Sequence, residues 1–353
     1  MKTIIKLYVP LLLSGLALIT GCTKNFEKIN TDPLSVNQEQ YNPNYLLSTA
    51  QLNYTGSVDF AYETWRGNLI YASTMMQGMS SVIGYWAGDK YMLNEGYTAA
   101  YWEKAYPDQV KYAADLVEFT KGKAQYNNVH QIGRIWKALI FQRLTDLYGD
   151  VPYFDAGKGY YTGNLYPKYD AQQAIYTDLL KEVDEAGTAL TAGGDAVTGD
   201  LVYAGDVNKW KRFAASLMLR MAMRLTKADA TLAQSYITKA VGKTMTGDAD
   251  NALFKHDANG GRVTQNRAAQ VLLGDGGQEN YYTRWSNTFI NYLKTNNDPR
   301  LSKVAVTKLY LTDVTKAQNP AFVTTAAVQK GMPNGKDLSG IAGRDVERLL
   351  VAH

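Results

Sequence analysis

The sequence predicts an all-α protein built from paired helices of similar length. Residues 127–156 repeat apolar side chains at helical spacing: Ile132, Ile135, Trp136, Leu139, Ile140, Leu144 and Leu147 make one broad stripe. Residues 170–190 carry a second stripe (Ile175, Leu179, Val183, Ala186, Leu190). Residues 207–226 carry a third (Trp210, Phe213, Ala214, Leu217, Met221, Leu225). The connections between such stretches are short. That is the arithmetic of a helical-repeat array, in which each hairpin buries its stripe against the next.

Taken in order, the chain begins with a leader. Lys2 and Lys6 precede an apolar run over residues 7–19, and Gly21 stands directly before Cys22. A basic start, an apolar core too short to span comfortably and small residues at a cut site describe a secretory signal over residues 1–21. The chain's single cysteine falls directly after that cut. This is the arrangement of a bacterial lipobox, in which Cys22 carries lipid and becomes the first mature residue. One cysteine excludes an intramolecular disulfide framework, so stability must come from the core. The formal net charge of +4 falls to +2 once Lys2 and Lys6 leave with the leader, too weak a balance for a nucleic-acid partner. No other apolar run is long enough to cross a bilayer, so the mature chain is expected to be anchored to a membrane and not threaded through it.

Residues 22–43 are polar and turn-rich and read as a lipidated tether, and residues 44–353 as a single helical domain. Helices are expected over 45–53 and 65–79. Residues 84–91 (GYWAGDKY) read as a loop in which two glycines bracket Tyr85 and Trp86, with Tyr91 behind them. Such rings can stack on a ligand or pack beneath the loop. Residues 101–121 place Trp102, Ala105, Tyr106, Ala113, Leu116 and Val117 on one helical face, and Pro107 should kink that helix or mark its true first turn. Asn127 or Asn128 can cap the next helix. Gly149 sits where the chain must turn left-handed, and Pro152 forbids the helix from resuming. Asp170 and Gln173 make a capping-box-like start for 170–190, and Gly193 and Gly194 end that stretch. Asp206 and Asp229 can cap helices over 207–226 and 232–241.

Residues 248–278 are rich in glycine and asparagine and read as irregular. Asp248, Asp250 and Asn251 offer oxygens, but their spacing matches no calcium loop. Tyr281, Tyr282, Arg284, Trp285 and Asn287 gather before a helix through Phe289 and Leu293, where rings can stack on a sugar and amides can hydrogen-bond it. The 26 Tyr and 6 Trp suit sugar or peptide surfaces, and a helical core equally well. Catalytic patterns are missing. His130, His256 and His353 are far apart without metal-binding spacing, and no nucleophile elbow, phosphate loop or dinucleotide fingerprint is present. Asp146 and Asp150 are the carboxylate pair a glycosidase would need, but a helix end and its corner explain them structurally. No catalytic residue, cofactor or metal is therefore expected.

Four phrases in order carry a resemblance: TDLYGDVPY at 145–153, WKRFAASLMLRMAMRL at 210–225, NDPRL at 297–301 and GMPNG at 331–335. With the lipobox, and with FEKINTDP at 26–33, they resemble the SusD/RagB family of outer-membrane nutrient-binding lipoproteins. The resemblance implies a scaffold of tetratricopeptide-type helix pairs with irregular aromatic loops. It implies ligand-facing residues in the 84–91 region, so Trp86, Tyr85 and Tyr91 stand as one half of a ligand-binding site. Tyr281, Tyr282, Trp285 and Asn287 stand as the other half. It further implies a lipid-anchored outer-membrane protein, facing the cell surface, that binds extracellular oligosaccharide or polysaccharide and delivers it to a SusC-like TonB-dependent transporter. Some relatives carry an acidic run after the cysteine as an export mark, where this chain has only Glu27. Peptide cargo, a lipidated glycan hydrolase and a plain helical-repeat interaction protein are the alternatives. Arg220 and Arg224, one turn apart, can grip an anionic ligand or pair with carboxylates between helices. Relatives continue into a further helix pair, and residues 340–353 match nothing in the family, so the domain reads as incomplete at its C-terminal end.

Overall fold

The computed structural model describes residues 25, 41–55, 65–257, 264–273, 282–305, 326–327 and 329–337. The leader, Cys22, nearly all of the tether, Tyr281 and residues 338–353 lie outside the described residues. The chain divides into two compact units after Asn42, and every element below belongs to the unit that begins at Pro43. Among the described residues, besides a single α-helical turn at Gly159–Thr162, its α-helices are α1 (Pro43–Thr55), α2 (Glu95–Ala105), α3 (Lys111–Thr120), α4 (Asn127–Tyr148), α5 (Gln172–Ala189), α6 (Val207–Arg224), α7 (Ala230–Ala240), α8 (Arg267–Leu273), α9 (Asn287–Thr295) and α10 (Leu301–Val304). A π-helix, Trp65–Ser73, occupies most of the stretch expected as the second helix. Two short strands, β1 (Met79–Ser81) and β2 (Thr283–Trp285), pair with each other.

Helix α4 is the centre of the helical array and packs against α1, α3, α5 and α6. Ile132, Ile135, Ile140 and Leu144 are fully buried along it, with Trp136 and Leu139 nearly so. Each such side chain contributes roughly 1.5–3 kcal/mol when taken out of water. The ion pairs on its rim, Arg134 to Glu182 at 2.9 Å and to Glu185 at 2.7 Å, keep partial access to solvent. Pairs of that kind contribute about 0–1 kcal/mol, so the stripe decides the packing and the charges trim it. Leu147, which spacing assigns to the stripe, is exposed, because α4 ends one residue later. Two indoles tie the layers together. Trp136 donates from Nε1 to the Ala50 carbonyl of α1 at 3.1 Å, and its ring meets that of Trp210 on α6 edge-on at 6.2 Å. Trp210 in turn donates to the buried Asp200 carboxylate at 2.7 Å.

The helix ends follow the expectation in part. Gly149 has φ 74° and donates to the Thr145 carbonyl at 2.8 Å, ending α4 at the expected glycine, though at ψ −121° and not in the left-handed helical conformation. Asp206 and Asp229 cap α6 and α7 from the positions expected. The start of α4 is different, since neither Asn127 nor Asn128 caps it. The Asp195 carboxylate, arriving from the loop after α5, accepts from the Asn128 and Val129 amides at 2.6 and 3.1 Å. The start of α5 is exchanged in the same way. Asp150 accepts from the Gln172 amide at 2.9 Å, while Asp170 faces back and accepts from the Tyr153 and Phe154 amides. Residues 101–120 run on in helical conformation, but not as one uniform α-helix. A π-helix, Tyr106–Val110, separates α2 from α3, and its wider turn absorbs the missing donor and the ring of Pro107. Arg220 and Arg224 bind between helices, Arg220 to the Gln142 amide oxygen at 2.7 Å and Arg224 to Asp146 at 3.2 Å.

Two outcomes are expected. Asp195→Ala, which strips the remote cap from α4, should cost about 1 kcal/mol in urea unfolding, within the range for lost N-caps. His130, whose Nδ1 lies 2.8 Å from Thr120 Oγ1, is pushed below the ordinary imidazole range by burial, with the nearby Arg134 adding to the effect. The unfolded chain therefore binds the proton more readily than the folded one. Stability from this group is complete above about pH 6.5 and declines as pH falls. Urea midpoints of the wild type and of His130→Gln, measured across that range, should converge or cross as the pH is lowered.

Candidate functional site

The strands bring the segment just before the 84–91 loop beside the 281–287 region. Met79 pairs with Trp285, Ser80 with Arg284 and Ser81 with Thr283, in antiparallel register. The pairing joins segments 202 residues apart, as Ser81 and Thr283 are. The GMPNG phrase then closes on both strands. Met332 accepts from the Asn287 amide at 2.8 Å and donates to the Trp285 carbonyl at 2.9 Å. Ser80 Oγ donates to the Pro333 carbonyl at 3.0 Å, and Asn334 Nδ2 to that of Met79 at 3.1 Å. A Cβ at Gly331 would run into the Ser286 carbonyl, so only glycine allows this approach.

Beneath the strands lies a buried ion pair. The Asp89 carboxylate, 3% exposed, accepts from Ser80 Oγ at 3.0 Å and from the Ser81 and Gly335 amides at 3.4 Å. Lys90 Nζ sits 3.0 Å from Asp89 and donates also to the Ser81 and Trp86 carbonyls at 2.8 and 2.9 Å. All three ammonium protons therefore have acceptors. One charge pair fixes β1, the loop and the GMPNG phrase against one another.

The candidate residues separate into exposed and buried sets. Tyr91 is 69% exposed and held at φ 53°, a conformation uncommon outside glycine. Its hydroxyl lies 3.4 Å from Gln77 Nε2, and Gln77, itself at φ 58°, accepts from Thr288 Oγ1 at 2.6 Å. Gln77 thus links Tyr91 to the first turn of α9, where Asn287 is exposed and its side chain makes no hydrogen bond to a described residue. Trp285 is 40% exposed, with its Nε1 on the Val304 carbonyl at 2.7 Å and its ring against Phe289. The indole donor is satisfied inside the protein, which leaves ring surface for a ligand. Tyr85 is partly exposed and meets Trp65 edge-on at 6.4 Å. Trp86 departs from the expectation of a stacking platform. Its side chain is fully buried, packed with Trp65, Ile70, Tyr71, Ala87 and Val271, because the glycine turn folds it under the loop. Tyr282 is half-buried against Val82 and Met332. Tyr281 lies outside the described residues.

The family profile described as "Starch-binding associating with outer membrane", a SusD-like family, matches residues 35–338. The chain belongs to the SusD-like family. Among solved structures, a chitin-binding protein is 33% identical with a TM-score of 0.66, the alignment covering 76% of this chain and 55% of that one. A Bacteroidetes SusD-like protein is 24% identical with a TM-score of 0.70, covering 89% and 64% of the two chains. A chitin-binding SusD homologue from Flavobacterium johnsoniae is 22% identical with a TM-score of 0.60, covering 74% and 53%. This SusD-like chain therefore spans between 53% and 64% of the length of these relatives. No curated protein matches the sequence.

Sequence reasoning missed Gln77 and Thr288, which join the two halves in this SusD-like protein. The available signal was weak: a Gln-Gly step after two methionines at 75–76, and a threonine in the first turn of a capped helix. Asp146 and Asp150 take structural roles, Asp146 on Arg224 and on the Tyr176 hydroxyl at 2.5 Å, Asp150 on the start of α5. Burial, reinforced by Asp146, pushes the Tyr176 hydroxyl up to about 12. Asp250 is likewise engaged, by Arg212 at 2.8 Å and the Thr246 amide at 3.0 Å. Trp86→Ala is expected to cost about 3–5 kcal/mol in urea unfolding, the cost of emptying a buried aromatic site. An unaltered midpoint would show that the ring is not part of the core.

Proposed function

We propose that this chain is a non-catalytic, lipid-anchored outer-membrane protein that captures extracellular oligosaccharide and hands it to a SusC-like TonB-dependent transporter. The observation that carries the reading is the edge on which Tyr91, Trp285 and Asn287 are exposed, linked through the half-buried Gln77, joined by β1 and β2 and braced by Asp89 and Lys90. Ring faces stack on the C–H surfaces of a pyranose, and the amides of Gln77 and Asn287 hydrogen-bond its hydroxyls. The family description names starch, and the relative at 33% identity is a chitin-binding protein, which supports a glycan as cargo. In this reading residues 1–21 are the leader, Cys22 carries the lipid, and residues 22–43 are the tether that leads to the folded unit. The outer-membrane position is supported by the family's description and by the lipobox, and delivery to a transporter is what the family resemblance implies. Binding requires neither metal nor cofactor in this mechanism.

Glycan binding is tested by titrating the protein with maltoheptaose and with the hexamer of N-acetylglucosamine. Trp285→Ala and Tyr91→Ala should each weaken binding about tenfold, the loss expected for one stacking ring, while the thermal midpoint stays within a few degrees. Unchanged affinity in both variants would remove the edge as the site.

A further inference from the structure

A second feature lies away from this edge, on the outer face of α5. A depression of about 520 Å³ is lined by two aromatic rings, Phe154 from the corner after α4 and Tyr236 of α7. Alongside them α5 presents Gln173, Thr177, Asp178 and Lys181, with two alanines keeping the floor low. Gln173, Thr177 and Lys181 are four residues apart in succession, so they share one face of the helix.

Both rings are held in place. The Phe154 amide donates to Asp170 at 2.9 Å, and its ring meets Tyr153 edge-on at 4.9 Å, leaving the side chain 40% exposed. The Tyr236 ring carries Lys239 Nζ at 4.6 Å from its centroid, and Lys239 is anchored to Asp184 of α5 at 2.6 Å. Asp178 is oriented by the Tyr153 hydroxyl at 2.8 Å. The floor carries a carboxylate and an ammonium, which favours neither an anion nor a cation. It offers acceptors and donors in alternation, which suits hydroxyl groups, since each of these both donates and accepts. Aromatic surfaces beside a strip of mixed hydrogen-bonding groups match a neutral pyranose, with apolar C–H faces and a polar rim.

We propose that this depression is a second, outlying glycan site that takes neutral sugar units of the same polymer whose end or inner stretch lies on the Tyr91–Trp285 edge. The inference rests on the glycan reading above but shares no residue with that edge. Two weak sites on one polymer act together, because binding at the first raises the local concentration of chain at the second. Polymer retention should then depend on both sites, and short oligomers should report each one separately.

The test uses native affinity gels with soluble starch or glycol chitin, together with titration by maltoheptaose and the N-acetylglucosamine hexamer. Thr177→Trp fills the depression from an exposed position, and Tyr236→Ala removes one lining ring. Each should weaken retention of at least one of these polymers about three- to tenfold, on the scale of a single lost stacking contact, with the thermal midpoint unchanged. Joined to Trp285→Ala, either should abolish retention. If both variants are retained like the parent while Trp285→Ala is not, the depression is no glycan site and the edge stands alone. If both are retained like the parent and Trp285→Ala is too, the depression is equally excluded. If the parent itself retains neither polymer, the glycan reading fails and this inference falls with it.

Discussion

Helix α4 cannot bury its own stripe. A single helix in water leaves its apolar face exposed, and Ile132, Ile135, Trp136, Ile140 and Leu144 face more than one direction around the axis. Their burial therefore requires neighbours on several sides, and α1, α3, α5 and α6 supply them. Close approach is built in where α3 crosses. A Cβ at Gly133 would stand 2.8 Å from Leu116, so the glycine lets the two backbones come together without displacing that leucine. The two indoles extend the same logic. Trp136 and Trp210 fill the space between helices, and each delivers its single N–H to an acceptor, so neither buries an unmet donor.

Packing helices this tightly buries their ends and the loops that join them, and the backbone amides there need acceptors. Aspartates brought from elsewhere in the chain answer that need. Asp195 caps α4, Asp150 caps α5, and Asp170 gathers the corner after α4. Asp200 accepts from Val202, Tyr203 and Gly205 amides, from Gln51 and from Trp210. Asp89 does the same for the strand pair. A carboxylate accepting several donors is a strong junction, and removing it leaves every one of those donors unmet. Around the candidate edge, Asp89 ties together a strand, a loop and the GMPNG phrase that are far apart in sequence.

Some aromatic rings serve the core and others the candidate edge. Trp86, Trp136 and Trp210 serve the interior, whereas Tyr91 and Trp285 remain partly in solvent with their polar tips directed to protein groups. Gln77 and Tyr91, where the two halves meet, both take positive φ, as do Ala204 and Asn297 elsewhere in the chain. The Gln77 side chain spans that junction, hydrogen-bonded to Tyr91 and to Thr288.

Periodicity alone was enough to specify the helices that carry long stripes, since α4, α5 and α6 lie within a few residues of the stretches their spacing marks. Local caps at Asp206 and Asp229, and the stop at Gly149, were legible for the same reason: each acts within one turn of its own position. Family membership was legible in four short phrases. Tertiary structure decided whatever depends on residues remote in sequence. A cap supplied by Asp195 has no local signature, and strands of three residues are too short to show alternation. Whether an aromatic ring in a glycine-flanked loop faces solvent or core is set by what packs against it. Trp86 and Tyr91, five positions apart, take opposite fates because the turn between them directs one ring onto Val271 and its neighbours and leaves the other at the surface.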